Sequence, residues 1–286
     1  MPELPEVETI KRELAKTLKG KVISQVTILW PKTVSPTSVQ NFTKMVTGKK
    51  ILSLDRRAKM LLVHFSGELS LIIHLKMTGQ LIFMPQTGKI ITGGHPTADI
   101  QTPGRHTRLF FTFKDRSHLY FNDLRKFGWF KILDDKLKKY IDTEIGLEPL
   151  SKTFTIANLK KIFTKYPNRT IKQILLDQHL LAGIGNIYAD ESAFLSSVLP
   201  MRKTKTLTNK EIRDLHQNII NVLKFSIKKK GTSAKNYVRS NGEKGGFVPH
   251  LMVYGRKGEA CKRCGLSIIK TKHAGRGTHY CPGCQK

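Results

Sequence analysis

Residues 261–284 read CKRCGLSIIKTKHAGRGTHYCPGC. Two C-x2-C pairs are separated by 16 residues, a spacing that is typical of zinc ribbons. The alternative, four unrelated free cysteines, is disfavoured by this pairing. Four thiolates predict a closed, tetrahedral structural site without an open position for catalysis, and its ligands would be Cys261, Cys264, Cys281 and Cys284. Because so short a module has almost no core, the metal must supply its folding energy, about 10 kcal/mol.

The segment between the two cysteine pairs predicts a cationic hairpin. Apolar and polar residues alternate, AGRG makes a turn, and a second strand follows. Arg276 would lie at the tip, between Gly275 and Gly277. Residues 251–286 contain eight Lys or Arg against one Glu, a net charge of +7. Such a hairpin is suited to contact phosphates, although a solvated loop arginine would show the same spacing.

The whole chain is strongly basic. Its 286 residues include 50 Lys and Arg against 21 Asp and Glu, a formal net charge of +29. This excess indicates a polyanionic partner, with nucleic acid ahead of an anionic membrane, and a merely basic protein as the alternative. No apolar run approaches 18 residues, and no secretory signal is visible. We therefore expect a cytoplasmic protein with reduced cysteines and no membrane association.

The first 133 residues indicate one helix followed by short strands. Residues 5–19 place Val7, Ile10, Leu14 and Leu18 on one face, and Gly20 closes the helix. Alternating or aromatic-rich stretches then predict six strands, VISQVTIL, KMLLVHF, LSLIIHL, RLFFTF, HLYFND and WFKIL. The Gly-, Pro- and Thr-rich segment 84–104 is predicted to be a loop. This pattern is typical of a β-sandwich or barrel led by one helix.

The sequence becomes helical after a polar stretch at 134–139 and the motif GLEPLSK. LLAGIGNIYADESAF, residues 180–194, predicts a glycine turn and a helix with Asn186 as N-cap, preceded by a helix at 171–176. Free amides at such a helix start can hold a phosphate, although a plain helical hairpin would show the same pattern. Thr208-Asn-Lys-Glu211 matches a capping box, and residues 231–247 resemble a mobile loop.

The N-terminus reads MPELPEVE. Removal of Met1, which a small second residue favours, would make Pro2 a secondary amine that titrates near pH 8. A neutral amine attacks an aldehyde-like carbon and gives an iminium that acts as an electron sink. Glu3 could move protons, and Glu6 could hold the Pro2 ammonium or take its proton. Ordinary helix-start chemistry, with proline first and acids in the first turn, is the alternative.

Taken in order, these motifs resemble the bacterial formamidopyrimidine-DNA glycosylases. The resemblance covers nearly the whole chain and rests on MPELPEVETI, RRAKMLL, HLKMTGQL, NDLRKFG, LLDQHLLAGIGNIYADE, VYGRKGE and AGRGTHYCPGCQ. It implies an α+β chain with an N-terminal β-sandwich, a helix–two-turn–helix region and a zinc finger. We expect a catalytic domain at 1–134, a linker at 135–152, a DNA-binding helical domain at 153–250 and the zinc finger at 251–286.

The resemblance also implies roles for individual residues. Pro2 would attack C1′ of the damaged nucleotide, and Glu3 would donate protons in base release and ring opening. Lys59 would contact the phosphate region of the lesion and assist β-elimination. Asn186 and Arg276 would hold the flanking phosphates, and Arg276 would also assist δ-elimination.

Other positions match residues that stabilise the opened duplex. Met77 and Phe127 would fill the space of the flipped nucleotide, although strand context alone would make them core residues. Arg125 would face the orphaned cytosine, whose pairing edge offers acceptors. His74, His106 and Lys172 match DNA-contact positions, and residues 231–237, GTSAKNY, resemble the loop that closes over the flipped base.

The chain departs mildly from the family pattern. It has alanine where glycine often precedes the lysine of RRAK, and HLKMTG where arginine is common. IGLEPL replaces the usual LGPEPL, and the 84–104 segment before His106 is longer than is typical of the family. The implied function is excision of oxidised purines from double-stranded DNA with strand cleavage, by a monomer associated with the bacterial nucleoid and carrying one structural Zn²⁺. The alternatives are an endonuclease VIII-like enzyme for oxidised pyrimidines and a non-catalytic zinc-ribbon DNA-binding protein.

Overall fold

The computed structural model describes residues 1–94, 102–232 and 246–286. They belong to two units, one made of residues 1–139 and 230–246 and the other of residues 140–229 and 247–286. Within the described residues, none of the helices combines the length and apolar character needed to cross a bilayer.

The first unit is a pair of antiparallel sheets behind helix α1 (Leu4–Leu18). Its other elements are α2 (Val39–Val46), β1 (Ile23–Ile28), β2 (Ile51–Arg57), β3 (Met60–Phe65), β4 (Ser70–His74), β5 (Gly79–Met84), β6 (Ile91–Gly94), β7 (Thr107–Phe113), β8 (His118–Asp123) and β9 (Trp129–Ile132). One sheet has the order β1-β7-β8-β5-β6 and the other β2-β3-β4-β9. The predicted sandwich is confirmed.

The core of this unit follows from period-two alternation in the strands. Alternate residues of both sheets are buried against one another, for example Leu61 and Val63 of β3 and Phe111 and Phe113 of β7. The predicted face of α1 joins the same cluster, since Val7, Ile10, Leu14 and Leu18 are each at most 2% exposed. Helix α1 therefore packs against the sandwich, and this packing holds the residues at its N-terminal end in place.

The prediction that residues 84–104 form a loop was wrong for residues 91–94. These residues form β6, which pairs with β5 from Gln80↔Gly94 to Phe83↔Ile91. The sequence ITGG reads as a loop because glycine is rare in strands. Here a Cβ at Gly93 would lie 2.7 Å from Cγ1 of Ile10, so glycine is the residue that lets α1 pack directly on this strand.

The segment predicted to be a linker, residues 135–152, contains helix α3 (Asp135–Thr143). Oδ1 of Asp134 accepts the backbone N–H of Leu137 at 2.7 Å, and Ile141 is buried. An N-cap acid followed by one apolar stripe is sufficient for a short helix. High charge had concealed that stripe in the sequence.

The second unit is helical and ends in the cysteine module. It contains α4 (Ile156–Lys165), α5 (Ile171–Leu176), α6 (Asn186–Leu195), α7 (Asn209–Lys228), β10 (Ile269–His273) and β11 (Arg276–Tyr280). The predicted helix at 171–176 and the capping box of α7 are confirmed. The N-cap of α6 is Gly185, and Asn186 is the first helical residue, which corrects the sequence expectation by one position.

Candidate active site and DNA-binding residues

The start of α1 buries two carboxylates beside Pro2. Glu3 is 5% exposed and Glu6 is 2% exposed. Oε2 of Glu6 accepts the backbone N–H of Glu3 at 2.9 Å, and Oε1 accepts the N–H of Thr232 at 2.8 Å. Backbone donors thus engage both Glu6 oxygens, and the bond to Glu3 belongs to a capping box, the helix-start chemistry that the sequence offered as the alternative. Glu3 remains the candidate proton donor.

The α-amino group of Met1 lies in the electrostatic environment that the predicted nucleophile would share. Burial lowers the pKa of this amine below its ordinary value, Glu3 and Glu6 oppose that shift, and Lys59 adds to it. The structure therefore brings Pro2, Glu3, Glu6 and Lys59 together in the first unit. Buried carboxylates beside an ammonium group and an amine form a site for proton transfer and nucleophilic attack.

A two-residue turn between β2 and β3 carries Lys59. Ala58 adopts a left-handed φ of +53°, and both Ala58 and Lys59 are 5% exposed. This conformation explains why glycine suits the position before the lysine. Nη1 of Arg56 donates to the Ala58 carbonyl at 3.0 Å, and Nε donates to Glu8 at 2.9 Å. The sequence analysis missed this support, because Arg56 and Glu8 are 48 residues apart.

His74 is held as a neutral ring at the end of β4. Burial lowers its pKa from 6.5 to about 3, and Lys76 and Lys59 contribute to the shift. Its Nδ1 accepts the backbone N–H of Lys76 at 3.0 Å, which places the ring proton on Nε2. His74 is therefore a neutral hydrogen-bond donor. His106 lies partly exposed just before β7, where it contacts Nε of Arg105 at 2.9 Å.

Met77 and Phe127 are surface residues of the first unit. Their exposed fractions are 41% and 52%, so the alternative that they are core residues was wrong. The guanidinium carbon of Arg125 lies 4.7 Å from the centroid of the Phe127 ring, a cation–π contact. Large exposed apolar side chains beside an arginine are suited to enter a base stack.

In the second unit, Lys172 is buried instead of exposed to a phosphate. It is 1% exposed, and its Nζ donates to Asp190 at 2.6 Å and to the Gly277 carbonyl at 2.9 Å. Nδ2 of Asn186 donates to the same carbonyl at 2.9 Å. In the DNA-free structure, Lys172 thus holds Gly277, the residue next to Arg276, and its expected contact with DNA stays a prediction.

Arg276 is exposed at the first position of β11, opposite His273. The turn consists of Ala274 and Gly275, both with positive φ, so Arg276 lies one residue beyond the expected tip. Oδ2 of Asp190 accepts the backbone N–H of His279 at 2.9 Å. Asp190 therefore connects α6 to the hairpin.

The four cysteines form a compact ligand set. Their sulfur atoms all lie within 4.8 Å of one another, with Cys261–Cys284 at 3.8 Å and Cys264–Cys281 at 3.3 Å. Sulfurs at the edges of a tetrahedral zinc site are about 3.8 Å apart, so the set fits one structural Zn²⁺. Glu191 fixes the segment leading into the module by accepting the N–H groups of Met252, Val253 and Tyr254 at 2.8–2.9 Å.

Comparison with protein families covers most of the chain. Residues 1–130 match the formamidopyrimidine-DNA glycosylase N-terminal domain, and residues 145–237 match its H2TH domain. Residues 258–286 match the zinc finger found in FPG and IleRS. The chain belongs to the formamidopyrimidine-DNA glycosylase family. Membership in this family makes it a base excision repair DNA glycosylase that acts on damaged bases, and the cysteines bind one structural Zn²⁺.

Relatives within the formamidopyrimidine-DNA glycosylase family align end to end. The enzyme of Carboxydothermus hydrogenoformans is 42% identical, with 100% of both chains covered, and that of Geobacillus kaustophilus is 40% identical with the same coverage. A Lactococcus lactis Fpg complex with abasic-site DNA has a TM-score of 0.87 at 35% identity, with 99% of each chain covered. A mutant of the same Lactococcus lactis enzyme, in complex with Fapy-dG DNA, has a TM-score of 0.86 at 36% identity, with 100% of each chain covered.

Removal of zinc will unfold the hairpin that carries Arg276. The closed thiolate site supplies about 10 kcal/mol to a module with little core of its own. We expect chelation of the full-length chain to remove hydrogen-exchange protection from β10 and β11 while the sandwich stays protected. Added Zn²⁺ will restore protection and added Mg²⁺ will not, because Mg²⁺ prefers oxygen ligands. Retained protection after complete metal loss would contradict a structural role.

Proposed function

We propose that this chain excises oxidised purines from duplex DNA and then cleaves the strand by β- and δ-elimination through an imine at Pro2. The observation that carries the proposal is the grouping of the N-terminal amine with the buried side chains of Glu3, Glu6 and Lys59. A capping box accounts for the bond between Glu6 and Glu3, but it does not require a buried lysine beside the two carboxylates, since burying charge is costly. We further propose that the enzyme acts as a monomer in the bacterial cytoplasm, at the nucleoid.

The covalent step begins when the neutral Pro2 nitrogen attacks C1′. The C1′–N bond to the base breaks, and the base leaves with that electron pair. The base gains the proton that the Pro2 nitrogen gives up when it bonds to C1′. The deoxyribose ring opens when O4′ accepts a proton from Glu3, which leaves a cationic iminium between Pro2 and C1′. Because the secondary nitrogen has no proton left to lose, the iminium remains an electron sink.

Strand cleavage then proceeds from the iminium. Loss of a C2′ proton expels the 3′ phosphate, and a second elimination expels the 5′ phosphate. Lys59 would stabilise charge at the lesion phosphates, and Asn186 and Arg276 would hold the flanking phosphates. Arg276 is exposed, as this role requires. Asn186 would have to exchange its bond to Gly277 for a phosphate contact.

The burial of the N-terminal amine predicts an unusual pH dependence. An ordinary α-amino group titrates near 8. For the Met1 amine, burial lowers the pKa, Glu3 and Glu6 oppose that shift and Lys59 adds to it. We expect a shift in the same direction for the Pro2 amine, which would be exposed to the same side chains once Met1 is removed. Imine formation requires the neutral amine. On the acid side of the pH profile, kcat/KM for cleavage of abasic DNA will therefore have its inflection at a lower pH than the corresponding reaction of a free peptide amine. A synthetic PELPEV peptide reacting with the same DNA is the reference, and an inflection at or above that of the peptide would contradict the argument.

Substrate choice is tested by comparing duplexes with 8-oxoguanine and thymine glycol. The match to the formamidopyrimidine-DNA glycosylase domains favours the purine lesion, and we expect 8-oxoguanine to be excised faster. The alternative of pyrimidine lesions has some support, because a wild-type Lactococcus lactis Fpg, 36% identical to this chain, is known in complex with DNA containing an oxidised pyrimidine. Faster excision of thymine glycol would establish that alternative. Binding without excision of either lesion would establish a non-catalytic role.

A further inference from the structure

We propose that Asp123 is a positioning residue that couples the two loops carrying Met77, Arg125 and Phe127. This inference rests on the proposed function, in which these three side chains replace the flipped nucleotide and face the orphaned base. Asp123 itself is 0% exposed and cannot touch DNA. Its carboxylate acts through backbone and hydroxyl groups of its neighbours.

The sheet brings the two loops together. Asp123 is the last residue of β8 and pairs with Gly79, the first residue of β5. Because the strands are antiparallel, the loop before β5 and the loop after β8 leave the sheet at the same edge. Met77 and Thr78 belong to the first loop, and residues 124–128 form the second.

Each oxygen of Asp123 has a distinct set of donors. Oδ2 accepts the backbone N–H groups of Phe127 and Gly128, each at 2.7 Å. Oδ1 accepts the hydroxyl of Thr78 and the backbone N–H of Arg125, the latter at 3.2 Å. The Arg125 N–H also reaches the Thr78 hydroxyl oxygen at 3.0 Å. One carboxylate therefore joins both loops, and Thr78 is the link to Met77.

The surroundings make this carboxylate difficult to replace. Nε of buried Arg108 donates to the Asp123 carbonyl at 2.8 Å and supplies a compensating positive charge. A Cβ at Gly128 would lie 2.4 Å from Cζ of Phe121 and 3.2 Å from Oδ2 of Asp123. The second loop is thus packed onto the carboxylate, while its side chains Leu124 and Phe127 are each 52% exposed. A rigid loop backbone that carries exposed apolar side chains is suited to insertion into a duplex.

The experiment compares Thr78→Val with Thr78→Ser. Valine keeps the shape of Thr78 and removes the hydroxyl that Asp123 accepts, whereas serine keeps the hydroxyl. Asp123→Asn removes one acceptor oxygen from the centre of the network. Asp115→Asn is the control, because Asp115 holds a different turn of the same sheet through Ser117. Thermal unfolding confirms that each variant is folded.

Two activities separate positioning from general damage. Single-turnover excision of 8-oxoguanine in duplex DNA needs the opened stack to be filled, whereas cleavage of single-stranded abasic DNA does not. We expect Thr78→Val and Asp123→Asn to slow duplex excision by about tenfold or more. In Thr78→Val a buried acceptor loses its donor, and in Asp123→Asn buried donors lose an acceptor. The preference for cytosine over adenine opposite the lesion will also fall. Thr78→Val and Asp123→Asn will cleave single-stranded abasic DNA at a rate within about twofold of the wild-type rate. All activities of Thr78→Ser and Asp115→Asn will stay within the same range.

Equal excision by Thr78→Val and Thr78→Ser would overturn the inference, and so would a parallel loss of single-strand cleavage. Should Asp123→Asn fail to fold, the comparison of the two Thr78 variants decides the question. A wild-type chain that excises no 8-oxoguanine would instead contradict the proposed function itself.

Discussion

A chain that keeps Met1 will bind abasic-site DNA normally and lose strand cleavage by about a thousandfold or more, the scale on which loss of a catalytic nucleophile is felt. With Met1 attached, the Pro2 nitrogen is a tertiary amide, and its lone pair is delocalised into the carbonyl. It therefore cannot attack C1′. The Met1 amine is primary and displaced by one residue, and it cannot reproduce the geometry of the proline.

The experiment uses an N-terminal extension that prevents processing, and a C-terminal extension of the same length serves as the control. Mass spectrometry establishes the terminus of each sample, and DNA affinity is measured at one fixed salt concentration because phosphate contacts are salt-dependent. Both samples should bind abasic-site duplex equally, and only the C-terminal extension should cleave it. Normal cleavage by an unprocessed sample would eliminate Pro2 as the nucleophile.

Lys172→Met will destabilise the second unit by about 3–5 kcal/mol, because it leaves the buried carboxylate of Asp190 without its ion-pair partner. The two side chains are 1% and 0% exposed, and their atoms are 2.6 Å apart. The substitution also removes the Lys172 donor from the Gly277 carbonyl, so the hairpin will exchange faster at its backbone amides. Cleavage of abasic DNA will fall as the placement of Arg276 loosens.

Lys210→Met is the matched control for this prediction. Lys210 and Asp214 are also 2.6 Å apart, but their side chains are 77% and 41% exposed. An exposed pair contributes about 0–1 kcal/mol. The free energy of opening of β10 and β11, followed by hydrogen exchange during urea titration of the zinc-loaded chain, should separate the two variants clearly. Similar values for Lys172→Met and Lys210→Met would show that burial does not govern this pair.

The sequence predicted the structure correctly where the residues that interact are close together in the chain. The face of α1, the capping box of α7 and the paired cysteines each repeat at short, fixed intervals, and the structure confirms them. Strand β6 was missed because its reason lies elsewhere in the chain. Gly93 is required by Ile10, which is 83 residues earlier. A pattern read in a short window cannot report that contact.

The site shows the same division between local and distant information. The motif PELPEVE drew attention to Glu3 and Glu6 but left helix-start chemistry as an alternative, and the partners of Lys172 lie 18 and 105 residues away. Sequence position therefore suggested a DNA contact for Lys172, and it could not reveal that the side chain is buried against Asp190 and Gly277. Asp123 was missed for a related reason. It lies between a strand and a loop, and nothing in the neighbouring sequence indicates that its carboxylate accepts four hydrogen bonds. Most of the loop expected to close over the base, residues 233–237, lies outside the described residues.

The most direct test of the account is borohydride trapping on an 8-oxoguanine duplex, followed by mass spectrometric mapping of the adduct. Borohydride reduces an iminium to a stable amine, so the deoxyribose remnant stays on the residue that attacked C1′. We predict one adduct, on the nitrogen of Pro2, in a chain that has lost Met1. An adduct on the Lys59 side chain or any other residue, or cleavage without an adduct, would contradict the account.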